Sequence, residues 1–257
     1  MRRLSIIGIG ACLALVGSAC EGESTFEKAD RIVAQQGTFA QAESVDIAAT
    51  AGIEAETLAI ITTPDMLTAA VVVRITSTSP EDGLLWAPIE VRLLDAAGAE
   101  VGTNNVPGAD PTLIHLPSLA ADASTLYVND QIIIAGEPAS AEVVVGGEPV
   151  AIAIPPSLAI ANATIVEDPN LGTSWTATVT NDSGVRQEQV IVQAIVRKDG
   201  DIVATGISIL PGMDPGTSAE ALGFFIGDPA GGELEVVAPA SNAADAAGAP
   251  PRDAQAG

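Results

Sequence analysis

Pro88-Ile89-Glu90-Val91-Arg92-Leu93-Leu94 is the stretch that decides the fold. Ile89, Val91 and Leu93 fall on one side of an extended chain, with Glu90 and Arg92 on the other. Alternation with a period of two marks a half-buried β-strand. Ala97-Gly98 then breaks the run. The same grammar repeats in both directions. Upstream, residues 69–76 read AAVVVRIT, a second strand, and further strands are expected near 112–116, 125–134 and 141–154. After Pro155-Pro156 the pattern restarts, with strands expected near 158–167, 175–181, 189–197, 201–210, 218–226 and 233–238. Val190, Val192, Ala194 and Val196 share a face, and Asp199-Gly200 is a hairpin turn whose two residues tolerate positive φ. Short strands with regularly spaced turns predict an all-β chain of two tandem β-sandwich domains, 56–154 and 155–238.

The two halves read as copies of each other. Leu116-Pro117-Ser118-Leu119 matches Leu210-Pro211-Gly212-Met213, and a serine closes each motif at its ninth position, Ser124 and Ser218. Glu137-Pro138-Ala139-Ser140-Ala141-Glu142 matches Asp228-Pro229-Ala230-Gly231-Gly232-Glu233, and Ile75-Thr76-Ser77-Thr78-Ser79 matches Val179-Thr180-Asn181-Asp182-Ser183. Three short matches in the same order argue for duplication. The Leu-Pro motifs are expected to turn corners out of strands, as scaffold rather than as binding loops.

Val91-Arg92-Leu93-Leu94-Asp95 with the following Gly98 is similar to the central F-x-L-Y-D segment of the FxLYD-type domain family of prokaryotic envelope proteins. The Thr-Ser-Thr-Ser segment before it and the Leu-Pro-Ser-Leu loop after it fall where that family has its characteristic turns. In the second copy Thr180-Asn181-Asp182-Ser183 and Leu210-Pro211-Gly212-Met213 match those turns better, while Ala194-Ile195-Val196-Arg197-Lys198 departs at the centre. The resemblance covers roughly 70–150 and 160–238. It implies immunoglobulin-like sandwiches and supplies no catalytic residues.

The first twenty residues, MRRLSIIGIGACLALVGSAC, set the expected compartment. Arg2 and Arg3 precede an uncharged apolar stretch, and Gly17, Ser18 and Ala19 are small enough for a signal peptidase. Val16-Gly17-Ser18-Ala19-Cys20 resembles the lipobox of exported bacterial lipoproteins, with Gly17 where leucine is commoner. The resemblance implies cleavage after residue 19 and a lipid thioether on Cys20, an extracytoplasmic protein of the cell envelope held to a membrane by its acyl chains. Each buried methylene contributes about 0.8 kcal/mol, so two or three chains on one cysteine anchor stably. Cys12 competes as the modified residue but sits too close to the arginines. Two other readings stand beside the anchor: plain secretion, and an uncleaved membrane helix. The apolar run is shorter than the roughly 20 residues a span needs. Residues 20–55 then read as a tether with a short helix near 25–36, where Ser24 and Glu27 form a capping box. The tail from 239 to 257 is too poor in large apolar side chains to offset chain entropy and is expected to be disordered.

Composition bounds the chemistry. With 33 acids against 10 bases the net charge is −23, and it would fall to −25 once Arg2 and Arg3 leave with a signal peptide. Such a surface repels phosphate backbones, so nucleic acid is not expected as a partner. It would also stand off anionic headgroups, leaving the lipid to hold the chain. Removal of Cys12 and lipidation of Cys20 would leave no thiol for a disulfide or a thiolate metal site. The one histidine, His115, lies in an apolar run without a Gly-x-Ser-x-Gly elbow and is expected to be structural. Pro80-Glu81-Asp82-Gly83, Asn129-Asp130 and Asn181-Asp182-Ser183-Gly184 offer oxygens without the spacing of a calcium loop. Trp86 and Trp175 are expected to anchor the cores. These features predict no enzyme, no metal and no cofactor. They point to a lipid-anchored protein-binding or structural module that meets an envelope partner, with a solute- or ion-binding lipoprotein serving a transporter as the alternative.

Overall fold

A computed structural model describes residues 47–106, 110–151, 154, 157–168 and 172–243. Cys20, the expected signal segment, the helix near 25–36 and residues 244–257 lie outside the described residues.

The chain is all-β, built from antiparallel sheets. The first half contains β1 (Ile53–Thr62), β2 (Thr68–Ser77), β3 (Leu84–Leu94), β4 (Glu100–Thr103), a single 3-10 turn at Pro111–Leu113, β5 (His115–Leu119), β6 (Ser124–Ile133) and β7 (Ser140–Val145). The second half contains β8 (Ala159–Asp168), β9 (Gly172–Thr180), β10 (Val190–Lys198), β11 (Asp201–Leu210), β12 (Ser218–Phe224), β13 (Ile226–Gly227) and β14 (Glu233–Val237). In the first half β1-β2-β6 form one sheet, and β3 pairs with β4, β5 and β7 in the other. In the second half β12-β9-β8 form one sheet and β13-β11-β10-β14 the other.

Each half closes over its own core. Val71, Val73 and Ile75 of β2 meet Ile89, Val91 and Leu93 of β3, which expose no surface, while Glu90 and Arg92 are only half-buried. Trp175, Ala177 and Val179 of β9 meet Val190, Val192 and Ala194 of β10. A third apolar cluster joins the halves: Val72 and Val128, on the backs of β2 and β6, pack with Ile195 and Ile207, on the backs of β10 and β11. The four sheets therefore stack in layers, with β1-β2-β6 and β13-β11-β10-β14 covered on both faces. This explains the unbroken apolar runs. Ala69, Ala70, Val71, Val72 and Val73 are all inaccessible, as are Val190, Val192, Ala194, Ile195 and Val196. A strand buried on both sides has little room for polar residues, and the β13-β11-β10-β14 sheet buries only a few, Gln193 and Thr205 among them.

The duplicated motifs occupy equivalent places. Thr76 and Ser124 face each other across β2 and β6 with their hydroxyls 2.8 Å apart, and Thr180 and Ser218 do the same across β9 and β12, also at 2.8 Å. Arg92 lies opposite Glu142, and Arg197 opposite Glu233. One motif differs from expectation. Leu210 ends β11 as a corner should, but Leu116-Pro117-Ser118-Leu119 runs inside β5 and is buried. Where β11 is continuous, the first half divides the corresponding run into β4 and β5 around the 3-10 turn, which draws the Leu-Pro motif into a strand.

Both expected boundaries shift outward. Residues before 56 are packed: β1 begins at Ile53, and the Thr50 amide donates to the Val145 carbonyl at 2.9 Å. At the other end, residues 239–243 are ordered against the second core rather than part of a free tail. Gln187, fully buried, accepts the amides of Ser241 at 2.7 Å and Asn242 at 2.9 Å through Oε1, and Ala240 enters the core. Backbone hydrogen bonds to one buried amide hold a segment whose small side chains could not hold themselves.

Candidate functional site: an apolar row on the outer sheet

The outermost sheet of the second half, β12-β9-β8, has one face on the core and one in solvent. Trp175, Ala177 and Val179 point inward, so Ser174, Thr176, Thr178 and Thr180 point outward. Gly223 of β12 lies against the Trp175 ring, and a Cβ there would come within 2.7 Å of it. That close approach fixes which side of β12 faces in, and leaves Glu220, Leu222 and Phe224 exposed. The register aligns Leu222, Thr176 and Thr164 in one rung and Phe224, Ser174 and Val166 in the next. Leu222 is 55% exposed, Phe224 52% and Val166 38%. Glu220 flanks this apolar centre at one end and Asp168 at the other. None of the three strands carries a lysine or an arginine. An apolar centre within an acidic margin is the anatomy of a protein interface rather than of a small-molecule pocket.

Adjacent residues of an extended chain point to opposite faces. Phe225 packs against the second core, which leaves Phe224 outside. Register was needed to see that Leu222 and Val166 join it.

A second accessible feature lies at the junction of the halves. Where the shared apolar cluster ends, a cleft of about 290 Å3 opens between the two inner sheets, lined by Arg74, Leu126, Ser157, Arg197, Glu235 and Val237 among others. Arg74 pairs with Glu56 at 2.5 Å, and Arg197 with Glu235 at 3.4 Å. Deeper in the same junction, Asp130 of β6 accepts the Ile207 amide of β11 at 2.9 Å. Burial pushes the Asp130 carboxyl above its usual range, and its Oδ1 is buried without a hydrogen-bond partner.

The residues singled out from sequence fall into different settings. His115 opens β5 and meets Trp86 edge-on, with ring centroids 6.3 Å apart and planes at 67°. Trp86 has φ +50° and falls between the paired residues Leu85 and Ala87 of β3, opposite Pro117, with no shift in register. Positive φ at a bulky residue costs of order 1–3 kcal/mol. Trp86 is not part of the core that its sequence position suggested, and it stays half-buried. Trp175 is a core anchor with no exposed surface.

Two of the residues considered for calcium, Asn129 and Asn181, are engaged in local hydrogen bonds. Asn129 donates to the Leu113 carbonyl at 2.9 Å and accepts the Gln131 amide, also at 2.9 Å. Asn181, fully buried, donates to the carbonyls of Val185 at 2.8 Å and Met213 at 2.9 Å and accepts the Ser183 hydroxyl at 2.6 Å. Among the described residues no group of three or more His, Cys, Asp or Glu side chains is placed to hold a metal. Tyr127, buried in the first core, donates to the Leu113 carbonyl and accepts from Asn104 at 3.0 Å, and burial pushes its hydroxyl up to about 12. Asn104 itself accepts the Val91 amide at 2.7 Å and donates to the Ile89 carbonyl at 3.0 Å. These buried networks pin loops to sheets.

No protein-family model matches this chain, and no curated protein sequence matches it.

Proposed function

We propose that this protein is a lipid-anchored, non-enzymatic binding module of the cell envelope, tethered to a membrane through Cys20 and presenting its outer sheet to another envelope protein. The observation that carries the reading is the exposed row of Leu222, Phe224 and Val166 within an acidic margin. The charge pattern specifies the partner's chemistry: an apolar centre ringed by Lys or Arg. Two copies of this face would set Glu220 and Asp168 against like charge with no cation between them, which disfavours self-association through it. The lipid would confine the module to a surface and raise its effective concentration, so a weak contact would suffice.

The test is affinity capture from mildly cross-linked membranes of wild type, Cys20→Ser and Leu222→Asp. The reading expects Cys20→Ser to leave the membrane fraction, and Leu222→Asp to remain there while losing a partner that wild type retains. An identical set of cross-linked proteins from wild type and Leu222→Asp would sink the docking face, and a membrane-bound Cys20→Ser would sink the anchor. The cleft between the halves favours a second reading, a solute- or ion-binding lipoprotein serving a transporter.

A further inference from the structure

We infer that the cleft at the junction of the two halves is a binding site for a small organic carboxylate, held between the guanidiniums of Arg74 and Arg197. The inference deepens the second reading above and is independent of membrane recruitment, since binding is read on purified protein.

The first argument is where the cations lie. In a chain of net charge −23, the described residues carry only Arg74, Arg92, Arg186, Arg197 and Lys198 as bases. Two of the five, from different halves, line one cleft. Arg74 stands on the same face of β2 as Val72, and Arg197 on the same side of β10 as Ile195, so both project from the faces that pack together and emerge at the edge of that contact.

The second argument is unused donor capacity. A guanidinium has five N–H donors in a rigid fork suited to a carboxylate. Among the described residues, Arg74 spends Nη1 on Glu56, and Arg197 makes only the long 3.4 Å contact from Nε to Glu235. The rest of each fork is available to a third group. Arg186, by contrast, is held by two carboxylates, Asp214 at 2.5 Å and Glu188 at 3.5 Å.

The third argument is the wall. Leu126 and Val237 give an apolar surface beside the guanidiniums. A volume of about 290 Å3 lies at the lower end of ligand-pocket sizes, which fits a carboxylate on a short aliphatic body. Because Glu56 and Glu235 already neutralise the two arginines, a monoanion with modest affinity is expected, in the millimolar range.

Sodium butyrate is the first probe, titrated into the full chain at constant ionic strength and followed by amide chemical shifts, with sodium phosphate in a parallel arm. Saturable shifts at residues lining the cleft are expected with butyrate. Arg74→Gln and Arg197→Gln should each weaken binding about tenfold or more, and Arg186→Gln should leave it unchanged. Glu235→Gln, which releases Arg197, should tighten it several-fold. These substitutions touch only exposed ion pairs, so the variants should fold as wild type does. The assignment is overturned by non-saturating shifts, by butyrate binding that survives in both cleft variants, by weaker binding in Glu235→Gln, or by phosphate binding where butyrate does not. Any of these outcomes leaves the outer-sheet docking face untouched.

Discussion

The inner and outer sheets are made of the same residue types but are written differently. β2 reads TAAVVVRITS, apolar from Ala69 to Val73, and β10 reads VIVQAIVRK, apolar from Val190 to Val196 except at Gln193. β3 and β9 alternate, with Ile89, Val91 and Leu93 set against Glu90 and Arg92, and Trp175, Ala177 and Val179 against threonines. Loss of alternation marks a strand with protein on both sides, and here it locates the surface along which two sandwiches join. A charge tests that difference most severely. Ile195→Asp would bury a carboxylate in the junction cluster, and a loss of roughly 3–5 kcal/mol is expected. Urea unfolding measures it. A loss below about 1 kcal/mol would mean that the junction opens to water and that the halves are not one folded unit.

The two halves also differ in how they end. After β7 the first half is held backbone to backbone, Val150 exchanging hydrogen bonds with Gly83 at 2.8 and 3.0 Å, whereas after β14 the chain continues to Ala243 under the hold of the Gln187 side chain. Gln187→Ala removes the acceptor of two amides and a donor to Ser183, whose hydroxyl lies 2.8 Å from Nε2. Buried groups left unsatisfied cost about 1–3 kcal/mol each, partly recovered by water, so a net loss of about 2–3 kcal/mol is expected. Hydrogen exchange at Ser241 and Asn242 should accelerate together. Unchanged protection of those two amides would show that Ala240 in the core, not Gln187, holds the segment.

What the sequence made legible follows from the range of the interaction responsible. Alternation in 88–94 and the Asp199-Gly200 hairpin are local, and the structure has both: β3, and a turn with φ +54° and +97° joining Lys198 to Asp201. The repeat was legible because Ser124 and Ser218 keep the same partner strand and the same hydroxyl contact. β4 spans four residues, too few to display a period. The positive φ at Trp86 leaves no mark in the sequence around it, and the order of 239–243 depends on one glutamine far along the chain. The candidate docking face was hidden for a related reason. Leu222, Phe224 and Val166 are scattered over two strands, and only register makes them neighbours.

Within the junction, Asp130 is a largely buried carboxyl, and it carries a pH dependence of definite sign. Burial raises its pKa in the folded chain above an unfolded value near 3.9. The folded state then holds the proton more tightly, so stability is highest below about pH 4 and falls as pH rises towards the raised value. Above that value the full cost of the buried carboxylate remains. Asp130→Asn keeps an oxygen for the Ile207 amide and removes the charge. It should stabilise the protein at pH 7, with the gain shrinking towards pH 4. Equal gains at both pH values would mean that the carboxylate is hydrated and the junction wet.

The smallest expected effect on stability completes the comparison. Leu222→Asp places on the outer face the charge that Ile195→Asp places in the junction. Leu222 is 55% exposed, so little area is lost from burial, and its neighbour across the rung is Thr176. A change within about 0.5 kcal/mol is expected, and the midpoint of urea unfolding should barely move. The same substitution is expected to abolish partner capture, and the pairing of the two results carries the argument. A substitution that leaves the fold intact yet abolishes capture would assign Leu222 to contact rather than to stability. A loss of stability comparable to that of Ile195→Asp would instead make Leu222 part of the scaffold and leave the outer sheet without a reason to bind.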